Sequence, residues 1–204
     1  MKRYYQPEKF SGETGDLFEF QQIGQIDTQN PEYQKSLRIL RAAEAASGMA
    51  NDYVRFKSAL KLAKEYQPYD PTNPDKPFAR DIRIALQDAL GLTAEEEMDR
   101  VKFYTAARSP LDLFHGVDAF VEYTDESGNT ARATFDLTLN PNKMAYKSDI
   151  IISGEDIPDA SADKKAYLQY MDSVARQIIA KMIVKQLHEH KKVIFPNASP
   201  ETKA

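Results

Sequence analysis

Two aspartates, Asp118 and Asp136, lie in neighbouring segments that alternate like strands, the second within Phe-Asp-Leu-Thr-Leu-Asn-Pro-Asn-Lys at 135–143. A β-hairpin would gather their carboxylates, and paired carboxylates are the hard oxygen donors that hold a divalent cation. Asp136 and Thr138 are two residues apart, so a strand sends both side chains to one face. Other chemistry has little material. The chain has no cysteine, which excludes disulfides, zinc–thiolate sites and thiol nucleophiles. It contains only three histidines and no Gly-x-Ser-x-Gly, His-Glu-x-x-His or glycine-rich phosphate loop. His115, beside Phe114, reads as a loop or core residue, and His188 and His190 point to different sides of a helix.

The elements that must position the two acids follow from hydrophobic periodicity. Val117, Ala119, Val121 and Tyr123 alternate with Asp118, Phe120 and Glu122, which predicts a strand over 117–124. Asp125-Glu-Ser-Gly-Asn129 supplies a turn, and alternation resumes over 131–139 until Asn140-Pro141 ends it. The run Ile150-Ile-Ile152 predicts a buried strand over 149–153. Before this hairpin, Thr93-Ala-Glu-Glu96 reads as a capping box opening a helix to about residue 108. After it, Ser161 caps a helix over about 162–190, with Leu168, Met171, Ala175, Ile178, Met182 and Ile183 turned inward. Val193–Phe195 reads as a last edge strand.

Upstream, residues 36–65 carry helical spacing with a break at Gly48. Four prolines between 67 and 77 exclude regular structure there, and Ile82, Leu86 and Leu90 mark a helix over 79–90 closed by Gly91. The expected organisation is an irregular arm at 1–34, a helical region at 35–91, a core at 92–195 and a polar tail at 196–204. The expected fold is α/β: an αβββαβ core whose mixed sheet is flanked by helices, with an N-terminal helical addition.

Composition narrows the partners. Of the 204 residues, 42% are hydrophobic, with 11 Tyr and 10 Phe, enough for a packed core. A net charge of −4 gives no bulk attraction to nucleic acid or membrane, so a polyanion would need a local basic face such as Lys185, Lys191 and Lys192. Neither an apolar leader in Met-Lys-Arg-Tyr-Tyr-Gln-Pro nor an 18-residue apolar run is present, which makes a cytoplasmic chain the expectation.

An acidic capped helix, Gly116-Val117-Asp118 opening a strand and a hairpin to Asp136-Leu137-Thr138 together resemble the restriction-endonuclease-like, or PD-(D/E)XK, nuclease superfamily. The layout is similar to that of archaeal Holliday-junction resolvases. The resemblance covers about residues 93–192. It implies that Asp118 matches the strand aspartate, Asp136 the second acidic ligand, and Glu96 or Glu97 the helix glutamate. It further implies Mg²⁺ or Mn²⁺ at Asp118, Asp136 and Glu97, and phosphodiester hydrolysis in DNA or RNA. Thr138 stands where the family's catalytic lysine belongs, so Lys143 or Lys147 is the expected substitute. The alternative is a catalytically inactive interaction or nucleic-acid-binding protein on the same fold, using the N-terminal helices as a protein-binding surface. The residues also admit plainer roles: Asp118 suits a turn cap, Asp136 a solvent-facing strand position, and the 95–97 glutamates a solvated first helical turn.

Overall fold

The computed structural model describes residues 12–50, 52–140 and 147–194. The chain runs α1 (Gly12–Ile23), α2 (Pro31–Ala46), α3 (Phe56–Glu65), α4 (Pro77–Leu90), α5 (Glu95–Met98), β1 (Val101–Thr105), α6 (Pro110–His115), β2 (Ala119–Thr124), β3 (Thr130–Thr138), β4 (Ile150–Ser153) and α7 (Lys164–Ile194). The sheet is four-stranded and mixed, ordered β1-β2-β3-β4. The first three strands form an antiparallel meander, and β4 lies parallel to β3.

Helices cover both faces. Alternation along β2 and β3 sends Ala119, Val121, Ala133, Phe135 and Leu137 to one side, where Ile82 and Leu86 of α4 and Met171, Ala175 and Ile178 of α7 complete a core. Tyr104 and Phe120 go to the other side, against Leu37 of α2, Leu60 and Leu62 of α3, and Leu111 of α6. Glu122 shares that second face and is buried. It is satisfied by Lys64 of α3 at 2.6 Å and by the Arg132 guanidinium on the neighbouring strand.

Several elements depart from the sequence expectation. The helix expected to run to about 108 stops at Met98, and β1 occupies its second half. Val-Lys-Phe-Tyr-Thr is β-branched and aromatic, and pairing with β2 together with burial of Val101, Phe103 and Tyr104 outweighs the helical start. The core is therefore not αβββαβ in the expected spans: the fourth strand precedes the last helix, and α7 covers Val193 and Ile194, where an edge strand is expected. Phe195 and the 196–204 tail lie outside the described residues. The 1–34 arm holds α1 and the start of α2, the latter capped by Asn30, whose side chain accepts from the N–H groups of Glu32 and Tyr33; residues 1–11 lie outside the described residues.

The proline-rich segment is irregular, as expected, and it lies along the outer margin of β1. The Phe103 N–H donates to the Pro71 carbonyl at 2.9 Å. The Gln67 side-chain amide donates to the Thr105 carbonyl and accepts from the Thr105 N–H, at 2.8 and 2.9 Å. Arg83 of α4 donates to the Val101 carbonyl at 2.8 Å.

Candidate metal centre at the end of the sheet

Asp118 sits where the alternation of β2 slips by one residue. Val117 packs in the α2–α3–α6 core, whereas Ala119 packs in the opposite one. The Asp118 N–H donates to the Phe135 carbonyl at 2.9 Å, although the cross-strand partner of Phe135 is Ala119. Two residues thus face one, the arrangement of a β-bulge, which re-aims a side chain at a strand end. The Asp118 carboxylate turns toward β3 and accepts from the Leu137 N–H at 2.7 Å.

Two further acids meet it there. Asp112 comes from α6, whose start is fixed by Pro110 and by Ser109, which accepts from the Leu111 N–H. Its carboxylate also accepts from the Arg108 N–H at 2.8 Å, a contact that Arg108 makes from a left-handed backbone (φ 68°). Glu19 comes from α1. One carboxylate oxygen from each of Glu19, Asp112 and Asp118 lies within 4.8 Å of the others. Asp136 adds its charge to this group, raising the proton affinity of both Asp112 and Asp118.

The cluster is partly enclosed, with Asp118 buried and Glu19 and Asp112 half-buried. Asp118 is 5% exposed and Asp136 only 1%. The plain reading of Asp136 as solvent-facing therefore does not hold. Burial first, then the charges of Glu19, Asp112 and Asp136, push the Asp118 carboxyl up to about 9. Burial likewise raises Asp112, with Asp16 and Asp136 adding to it. Several like charges in a low-dielectric end of the sheet demand a counter-charge, a proton or a cation. The donors are all carboxylate oxygens, which fit Mg²⁺, Mn²⁺ or Ca²⁺ and not a soft thiophilic metal.

The other sequence-derived candidates are placed elsewhere. Glu97 accepts from the N–H groups of Thr93 and Ala94 at 3.1 and 3.2 Å, so it closes the cap of α5 on the surface, the part expected of Glu96. Neither it nor Asp136 is among the three acids that converge, which are Glu19, Asp112 and Asp118. The Thr138 hydroxyl accepts from the Asn140 N–H at 3.0 Å, closing the end of β3. Lys147 donates to the Phe114 carbonyl at 2.9 Å, at the carboxy end of α6. Lys143 lies outside the described residues. His115 bonds the Val54 carbonyl at 2.8 Å and packs against Tyr53 and Phe56, a structural role. Lys185 pairs with Asp149, which also caps the N–H of Thr134.

Sequence reasoning missed Glu19, Asp112 and Arg108. Ser109-Pro-Leu-Asp112 carries a usable signal, a capped helix start with an acid in the first turn. Glu19 carries none, because α1 lacks a clean apolar stripe: Leu17 and Phe20 are exposed while Ile23 is buried. Arg108, half-exposed, bonds Asp16 at 3.2 Å beside the cluster.

The position of α1 depends on a close contact. A Cβ on Gly154, just after β4, would stand 2.5 Å from Leu139 Cδ2 and 2.8 Å from the ring of Phe18, the residue before Glu19. Gly154→Ala is expected to cost about 1–3 kcal/mol by overpacking. It should also weaken divalent binding by shifting Glu19; urea denaturation and titration calorimetry on the same sample read the two effects.

No family model, no curated protein and no solved structure matches the chain, so its site stands on its own geometry.

Proposed function

We propose that this chain is a divalent-metal-dependent phosphodiesterase of the restriction-endonuclease-like kind, acting on DNA or RNA. The observation that carries the reading is the convergence of Glu19 and Asp112 on the buried Asp118 at the hairpin that also carries Asp136. A helix glutamate, a strand-opening aspartate and a second-strand acid are the donor types that the resemblance implies, with Glu19 in place of Glu97. Mg²⁺ or Mn²⁺ held there would supply Lewis-acid polarisation of a phosphoryl oxygen and a lowered pKa for an attacking water. Glu19, Asp112 and Asp118 would hold the ion, with Asp136 adding negative charge beside them, and the Leu137 N–H fixes the orientation of Asp118. Arg108, at the rim, offers a guanidinium to a phosphate oxygen.

A second reading, a binding-only protein on the same fold, is favoured by Thr138. Its hydroxyl is engaged at the strand end and brings no positive charge to the place of the family's lysine.

Calorimetry with MnCl₂ and cleavage of supercoiled plasmid and branched DNA separate the two. Metal-dependent cleavage is expected in the wild type, with Asp118→Ala and Asp136→Ala each losing about 100-fold or more in affinity or rate. Glu97→Ala should leave metal binding intact. Binding without cleavage moves the protein to the second reading; no cation binding at all refutes both metal-based versions.

A further inference from the structure

We propose that the outer face of α4 and the first turns of α7 is a self-association surface whose occupant is a second copy of this chain. The two helices border a groove of about 620 Å³ whose walls include Ile84, Tyr167 and Leu168. Tyr167 is fixed in that wall by a 2.8 Å hydrogen bond to Asp81. Two large apolar side chains stand out of the face, Ile84 at 46% and Leu168 at 55% exposure.

The charges around them identify the occupant. Along α7 the exposed stripe reads Lys164, Leu168, Asp172; along α4 it reads Arg80, Ile84, Asp88. Each is a cation, an apolar residue and an acid at four-residue intervals, which lie on one side of a helix with a drift of about 40° per step. The pattern complements itself under a two-fold rotation. One axis lying across both helices, over Ile84 and Leu168, sets α7 antiparallel to α7 of the second copy and α4 antiparallel to its α4. Lys164 of each copy then meets Asp172 of the other, Arg80 meets Asp88, and the apolar residues meet at the centre. Two-fold contacts of this kind are isologous, so every pair occurs twice. Of the existing pairs on this face, Asp172 with Arg176 is exposed, and in Arg80 with Asp81 the arginine is exposed while Asp81 is half-buried; solvated pairs of this kind are weak and give way to shared ones.

Sedimentation velocity across a concentration series tests this with the full chain. A dimer is expected, weakened by salt. Leu168→Glu and Ile84→Glu should give monomers with an unchanged far-UV spectrum, because both side chains are already exposed. Lys164→Asp and Asp172→Lys each create two like-charge contacts and should raise the dimer dissociation constant by about tenfold or more. The double variant Lys164→Asp with Asp172→Lys restores opposite charges and should recover the dimer. A wild-type chain that is monomeric at every concentration overturns the proposal. So does a dimer indifferent to Leu168→Glu, or a double variant no tighter than either single one.

Discussion

Asp118→Asn is expected to stabilise the cation-free protein, and to do so increasingly as the pH rises. An aspartate in an unfolded chain titrates near 3.9. In the fold, burial and the neighbouring carboxylates push Asp118 up to about 9. Between those values the folded chain holds a proton that the unfolded chain has released. The linkage sign is then negative: stability falls as pH rises, by up to about 1.4 kcal/mol per pH unit for one whole proton. The fall begins above the unfolded value and levels off once the folded value is passed. Asparagine cannot ionise, yet its side-chain oxygen still accepts from the Leu137 N–H. Urea denaturation between about pH 5 and pH 9 should show wild-type stability declining while the variant declines much less. Parallel curves, or a variant less stable throughout, would mean that the 118 carboxylate is not under repulsive load.

Mg²⁺ or Mn²⁺ should reverse that penalty in the wild type. At neutral pH and a concentration of about 100 times Kd, a ligand that binds only the folded state adds about 2.7 kcal/mol. For a chain of this length that corresponds to roughly 5–10 °C in Tm. The ion must displace the proton shared among the carboxylates, so the calorimetric heat should vary with the ionisation enthalpy of the buffer. Sodium chloride at matched ionic strength should do far less. In Asp118→Asn the divalent shift should all but vanish, because the variant removes a ligand as well as the repulsion. An equal shift in both proteins would place the ion elsewhere on the surface.

Much of this architecture can be read from local pattern. The strands β2, β3 and β4 were legible because alternation and an isoleucine run are strong signals over short spans. The strand β1 was not, since three glutamates after a threonine announce a helix that lasts only one turn. Asp118 and Asp136 could be singled out because a hairpin makes its own neighbours. Glu19 and Asp112 come from elements about 100 and 6 residues away from Asp118, brought in by tertiary packing that no local period encodes. The slip of register at Asp118 was equally hidden, although it decides where that carboxylate points. On α7, the inward place at the first turns belongs to Tyr167, four residues before Met171, and not to Leu168. One residue is 100° of rotation, enough to convert an expected core leucine into an exposed one.

The proline-rich stretch laid along β1 has a consequence beyond shape. A bare outer strand invites foreign strands to zip on and seed fibrils. Here a carbonyl, a glutamine amide and an arginine already occupy that margin. Shortening the 67–77 span, or changing Gln67 to an apolar residue, would therefore be felt first as precipitation during expression, before any loss of chemistry.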